Sequence, residues 1–176
     1  IIADRQANPT HIAADLLAQA EHDPLAAAIL ITTDRTLAIS VQSAVETQLE
    51  HHPRKLLTEK SIAHYGLIIV VEDLDTAVEL SNHFAPEHLE LNIPDPWALL
   101  DRIRHAGAIF LGDSTPEAVG DYLAGPNHTL PTSGAARYAS ALGVETFMKH
   151  SSLIQYSPAA LSQVGNAIQA LTQAEG

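Results

Sequence analysis

The run Ala27-Ala28-Ile29-Leu30-Ile31-Thr32 is followed at once by Thr33-Asp34, and then by Leu37, Val41, Ala44, Val45 and Leu49. A short run without charge is too brief for a core helix and suits a strand buried on both faces, as in a parallel sheet. The apolar positions after Asp34 recur at three and four residues, which is helical spacing, and the helix begins at Asp34. Strand then helix is the unit, and it repeats in both directions. Upstream, Asn8-Pro9 opens a helix with Ile12, Leu16, Leu17 and Ala20 on one face, and Pro24 forbids its continuation past Glu21-His22-Asp23. Before it, Ile1-Ile2-Ala3-Asp4 reads as the tail of a strand already under way.

Downstream of His51-His52-Pro53 a third helix runs to His64 and closes at Gly66. Leu67-Ile68-Ile69-Val70-Val71 is the clearest buried strand, and Asp73 to Phe84 is helical again, with Leu74, Val78 and Leu80 turned inward. Ala85-Pro86-Glu87-His88-Leu89-Glu90-Leu91 is a turn passing into a short strand. Pro94-Asp95-Pro96 opens a helix that holds the only tryptophan, Trp97, and Ala108-Ile109-Phe110-Leu111 is another strand. Thr115 is placed as N-cap with Pro116 at the first helical position, Asp121 falls near the end of that short helix, and Gly125-Pro126-Asn127-His128 forms an ordered loop. Gly143 to Lys149 makes a helical turn or two. Leu153-Ile154-Gln155-Tyr156 reads as a last strand, and Ser157-Pro158 caps the final helix. The alternation predicts an α/β fold, a mostly parallel sheet with helices on both faces. The expected organisation is an α/β domain over 1–142 and a small helical segment over 143–176.

The formal charge of −12 argues against a nucleic-acid binder and against docking on anionic membranes. No apolar run is long enough to span a bilayer, and the start lacks a signal peptide's basic and apolar regions, so a cytoplasmic location is expected. With no cysteine, any metal must be held by nitrogen and oxygen. Ten histidines against nine Lys plus Arg raise the interest of the imidazoles. Neither a G-x-G-x-x-G fingerprint nor a Walker A loop is present. Both ends break off inside a pattern, which suggests a piece of a longer protein.

Three places carry residues suited to chemistry. Gln19 and His22 lie three apart at a helix end, where they could share a metal ion; the same spacing also suits a histidine that only meets the last carbonyls. Glu87-His88 sets a carboxylate beside an imidazole, a pairing fit for general base work, or else an acidic surface turn. Asp121 and His128 bring further oxygen and nitrogen donors from the punctuated stretch 112–134. With Gln19 and His22 they could complete a nitrogen/oxygen zinc site, if three parts of the chain converge at one edge of the sheet. His11, His51, His52, His64, His83, His105 and His150 read as surface or capping residues.

Gln-Ala-Glu-His at 19–22, Ala-Pro-Glu-His-Leu at 85–89 and Thr-Pro-Glu-Ala-Val-Gly-Asp-Tyr-Leu-Ala-Gly-Pro-Asn-His-Thr-Leu-Pro-Thr at 115–132 resemble histidinol dehydrogenase. The resemblance runs end to end and covers roughly the C-terminal two-fifths of that enzyme. It implies an incomplete Rossmann-like domain and a zinc- and NAD-dependent homodimeric enzyme that oxidises L-histidinol to L-histidine through bound histidinaldehyde. By that resemblance Gln19, His22 and Asp121 match zinc ligands. His88 matches the base toward the substrate hydroxyl, and Glu87 the group that activates water for the second step. Gln19, His22, His88, Asp121, His128 and Glu175 match residues around the substrate. No NAD-binding residue falls in this chain: the nucleotide-binding segment and a pocket serine match upstream of Ile1, and a fourth zinc ligand matches beyond Gly176. The chain alone is therefore expected to be inactive. A different reading is a non-catalytic metal- or imidazole-binding fragment, or a dimerisation module, of the same fold.

Overall fold

The computed structural model describes all 176 residues. They divide into two compact units, Ile1–Gly143 and Val144–Gly176. The first holds a five-stranded, wholly parallel sheet in the order β3-β2-β1-β4-β5. The strands are β1 (Ile2–Ala3), β2 (Ile29–Thr32), β3 (Leu67–Val70), β4 (His88–Asn92) and β5 (Ala108–Leu111). Helices α1 (Pro9–Ala20), α2 (Arg35–Glu50), α3 (Lys55–Tyr65), α4 (Leu74–Phe84) and α5 (Glu117–Tyr122) connect or follow them.

Chain order explains the sheet order. From β1 the chain steps outward through α1 to β2, and through α2 and α3 to β3. It then crosses back by α4 to the far side of β1, where β4 and β5 are laid down. The direction of winding therefore switches between β1 and β4, as in doubly wound α/β folds. This is the expected architecture.

Alternation along the strands separates two cores. Ala3 and Leu30 face Ile12, Leu16 and Leu17 of α1 and Leu37, Val41 and Val45 of α2. Ile2, Ile31, Leu89 and Leu91 face the opposite way, against Ala77 and Val78 of α4 and against Leu99. The polar residues His88, Glu90 and Asn92 occupy the other face of β4, and Glu90 and Asn92 are buried there.

Local chemistry sets the helix ends. Asn8, Asp34 and Asp73 each accept a hydrogen bond from a first-turn N–H through the side chain, closing α1, α2 and α4 at their starts. At α5 the expected cap does not form. Helical geometry begins at Glu117 with Pro116 as its cap residue, while the Thr115 hydroxyl donates back to the Leu111 carbonyl. The helix at Pro94–Pro96 is a 3-10 helix, Pro96–Arg102, with Trp97 exposed.

Leu67–Val71 departs most from expectation. Its residues 67–70 form the edge strand β3, and Leu67, Ile68 and Val70 are exposed. An apolar run specifies a strand, not its place in the sheet.

The second unit holds a 3-10 turn, Val144–Phe147, and α6, Pro158–Glu175. Ser157 caps α6 through its side chain, accepting from the Ala160 N–H. Leu153–Tyr156 is not a strand. Every strand of the molecule lies in the first unit, so this segment has no ladder partner within its own unit.

Candidate functional site

The switch between β1 and β4 leads the general rule for open α/β sheets to place a ligand at the carboxyl ends of the strands. Here the candidate residues gather at the amino ends. His88 is the first residue of β4, and Ile1 and Ile29, which precede or begin β1 and β2, line the same cavity. Helix polarity accounts for this. The C-terminal ends of α1 and α4 return to that edge, bringing Gln19 and His22 from one and Glu87 from just beyond the other. The last turn of α5 delivers Asp121 to the same place. Helix C-termini carry the negative end of the macrodipole. A crevice bounded by such ends and by carboxylates suits a cation, where a helix N-terminus would suit a phosphate.

The turn carrying Glu87 and His88 is firmly held. Ala85 ends α4 in the left-handed region at φ 52° while almost wholly buried, turning the chain sharply into Pro86. Gly107 and Ala108 then donate backbone hydrogen bonds to the carbonyls of Pro86 and Glu87, both at 2.9 Å. A Cβ at Gly107 would come within 2.6 Å of the Glu87 carbonyl oxygen, so only glycine allows this approach.

Gln19 joins the two residues of the turn. Its Nε2 donates to Glu87 Oε2 at 3.4 Å, and its Oε1 accepts from His88 Nδ1 at 3.0 Å. The amide is thereby oriented with nitrogen toward carboxylate and oxygen toward imidazole. His88 must then carry its proton on Nδ1, which leaves Nε2 as the basic nitrogen. Nε2 is buried without a hydrogen-bond partner, with Asp121 Oδ1 at 3.7 Å. The ring packs at 5.7 Å from the Phe110 ring. Burial lowers the His88 pKa against the pull of Glu87 and Asp121, favouring the neutral base.

His22 is oriented in a complementary way. Its Nδ1 donates to the Ala18 carbonyl at 2.8 Å, one turn back on α1, leaving Nε2 as a ligand nitrogen. His22, Glu117 and Asp121 each present one potential ligand atom, all within 4.8 Å of one another. Histidine nitrogen and carboxylate oxygen suit zinc without cysteine, so the residues present fit that ion. The Gln19 amide oxygen lies at the same edge, engaged by His88.

Gln19, His22, Glu87, His88 and Asp121 line a cavity of about 770 Å³, together with His128 and Thr132. The structure thus brings together Gln19, His22, Glu87, His88, Asp121 and His128 from the expected set. Glu175 is the last residue of α6 and belongs to the second unit. His52, read from sequence as a surface or capping residue, is mostly buried and pairs with Glu21 at 3.5 Å. Arg54 donates to the Glu21 carbonyl at 3.1 Å, so the α2–α3 connection braces the end of α1 that carries Gln19 and His22.

Residues 1–176 match the histidinol dehydrogenase family over their whole length. The chain belongs to that family. It is 74% identical over all of its length to histidinol dehydrogenase 2 of Trichormus variabilis, of which it covers 41%. It is 72% identical to histidinol dehydrogenase of Thermosynechococcus vestitus, again covering 41%. The crystal structure of histidinol dehydrogenase from Elizabethkingia anophelis superposes with a TM-score of 0.88 at 38% identity, over 99% of this chain and 40% of that one. The chain thus spans about two-fifths of the length of its relatives.

Membership in the family does not account for every group at this edge. Glu117 is 3% exposed, with Oε1 3.9 Å from His88 Nδ1. Burial, then Asp121, Asp15, Glu87 and Glu21, push its pKa up to about 8. From sequence it reads only as part of a helix start. Its spacing of four from Asp121 was the available signal, since it sets both carboxylates on one face of α5. Buried Glu90 and half-buried Asp15 form a second acidic pair behind His88, both shifted upward by burial, Glu90 to about 8. A polar residue alternating into a parallel strand gives no sequence sign of being buried.

Proposed function

We propose that the complete polypeptide oxidises L-histidinol to L-histidine through L-histidinaldehyde, and that these residues form its metal- and substrate-binding part. The observation that carries this reading is the His88 Nε2: buried, unpartnered, basic by tautomer, and set beside Asp121 in a cavity that His22 also lines. In the first oxidation His88 Nε2 takes the hydroxyl proton as the carbinol carbon gives up a hydride. In the second, the Glu87 carboxylate takes a proton from water as it adds to the aldehyde, and the hydrate loses the next hydride. NAD, when bound, is the hydride acceptor in each oxidation. His22 and Asp121, with the Gln19 amide oxygen, would hold zinc, which when bound orients the substrate nitrogens and polarises the reacting group. His128 and Glu175 are proposed to complete the substrate's surroundings, and the enzyme is read as a homodimer.

The same arrangement explains how the reaction is confined. Lowering of the His88 pKa by burial keeps its base form available, and the bond to Gln19 fixes the ring so that Nε2 faces Asp121. A zinc-loaded full-length polypeptide given histidinol and NAD is expected to yield histidine, with two NADH formed for each. Absence of NADH from a folded, metal-loaded preparation would overturn the reading. His88→Ala is expected to lower turnover by about 10²- to 10⁴-fold while leaving the zinc content unchanged.

A further inference from the structure

His88 carries its proton on Nδ1, and two acceptors are offered to it. One is Gln19 Oε1 at 3.0 Å, which makes the bond in this structure; the other is Glu117 Oε1 at 3.9 Å. The opposite edge of the ring, Nε2, faces Asp121 Oδ1 at 3.7 Å. Two carboxylates one helical turn apart on α5 therefore bracket the imidazole. Asp121 lies on the side of the base nitrogen and Glu117 on the side that must keep its proton.

Glu117 is also expensive to hold where it is. Its carboxyl group is buried, and the charged neighbours that act on it are all acidic: Asp121, Asp15, Glu87 and Glu21. No Lys or Arg faces it, and burying a carboxylate without a cation or a donor is strongly unfavourable. The His88 Nδ1–H lies 3.9 Å from its Oε1. A small cavity of about 40 Å³, lined by Gln19, His88, Glu90, Glu117 and Asp15, lies beside the pair and leaves room for closure.

We propose that Glu117 is the positioning residue of His88: it takes over the Nδ1–H when a metal ion draws away the Gln19 amide oxygen. This rests on the reading of Gln19 as a zinc ligand given above. One oxygen atom is asked to serve both the metal and the imidazole, and Glu117 supplies the acceptor that metal loading would remove. Loading the metal would then leave the tautomer of His88 unchanged and replace the amide acceptor with a carboxyl oxygen. An acceptor kept on Nδ1–H holds the ring in place and keeps Nε2 as the basic nitrogen.

The test uses Glu117→Ala and Glu117→Gln in the full-length polypeptide, with zinc content, steady-state kinetics for histidinol and the ¹⁵N shifts of the His88 ring. The Gln variant keeps the shape and an acceptor, so it carries the test even if the Ala variant does not fold. The expected result is wild-type zinc content in both variants and a KM within about threefold. kcat should fall by about 10- to 100-fold in Glu117→Ala, with much of it regained in Glu117→Gln. In zinc-loaded wild type the Nδ1–H shift should report the Glu117 carboxyl group as its partner, and Glu117→Gln should alter that signature. Loss of zinc in Glu117→Gln would show a metal ligand and overturn the proposal. An unchanged kcat in Glu117→Ala, or a His88 shift insensitive to either variant, would overturn it too. Should the wild type fail to oxidise histidinol, the proposed function falls, and the zinc-dependent ¹⁵N comparison still decides the role of Glu117.

Discussion

Glu90 stands two residues along β4 from His88, on the same face of the strand and buried there with Asn92. Burial, then Asp15, raise its pKa from 4.5 to about 8. Unfolded, the group loses its proton near its ordinary value; folded, it keeps the proton to about pH 8. The folded chain therefore binds more protons across that window, and stability falls as pH rises through it. Glu117 acts in the same direction, with its own value at about 8. Glu90→Gln should remove its share of this fall. The Tm of the variant relative to wild type should climb between about pH 5 and pH 8, followed by thermal melts in a series of buffers. A difference that stays flat with pH would show that Glu90 is ionised in the folded chain. None of this is visible in the sequence. Glu87-His88 and Gln19…His22 announce themselves because chemistry-bearing side chains stand beside one another or one turn apart. Glu90 and Glu117 look like ordinary acidic residues until strand alternation and helix packing put them inside.

Two elements decide whether those side chains meet. The short helix α5 lies against β5 so closely that a Cβ at Gly120 would fall 2.5 Å from Phe110 Cε1, and Phe110 is buried against the His88 ring. In an open helix, Gly→Ala should stabilise by about 1 kcal/mol. Here the same change must displace either the Phe110 ring or the helix. Gly120→Ala is thus expected to lower zinc affinity or turnover in the full-length polypeptide, through Glu117 and Asp121 on one side and His88 on the other. Unaltered zinc affinity and kcat would show that the contact is soft. At the start of α2, Asp34 Oδ1 accepts from the Leu37 N–H at 2.7 Å, and Asp34→Ala should cost about 1 kcal/mol in chemical denaturation without touching the site. Elements of this kind were legible beforehand, because caps and apolar spacing are local signals. The errors fall where tertiary context rules. Leu67–Val70 has the composition of a central strand yet lies at the sheet edge, since chain order and the α4 crossover place β3 outermost. Leu153–Tyr156 has strand composition and no strand to pair with in its unit.

At the scale of the whole molecule, the sheet explains why this edge suits a cation. Parallel strands joined by helices return every helix C-terminus to the amino edge, so negative dipole ends and the acidic residues Glu87, Glu117 and Asp121 accumulate there. On the proposed reading, binding a cation at that edge should depend on the sheet being formed and should need no nucleotide-binding segment. Oxidation needs more than this edge: hydride must leave for an acceptor, and the chain covers 41% of the length of its relatives. The two properties should therefore separate. The 176-residue chain is expected to release no NADH from histidinol and NAD, whereas zinc titrated into it should be taken up at an affinity that His22→Ala reduces by at least tenfold. His22 is the informative variant because its ring is exposed and bonded only to its own helix, so the substitution should leave the fold intact. Isothermal titration of zinc into both proteins, with circular dichroism to verify folding, makes the comparison. Zinc uptake that His22→Ala leaves unchanged would place the metal elsewhere, and NADH formation by the chain alone would mean that it holds a hydride acceptor's site of its own.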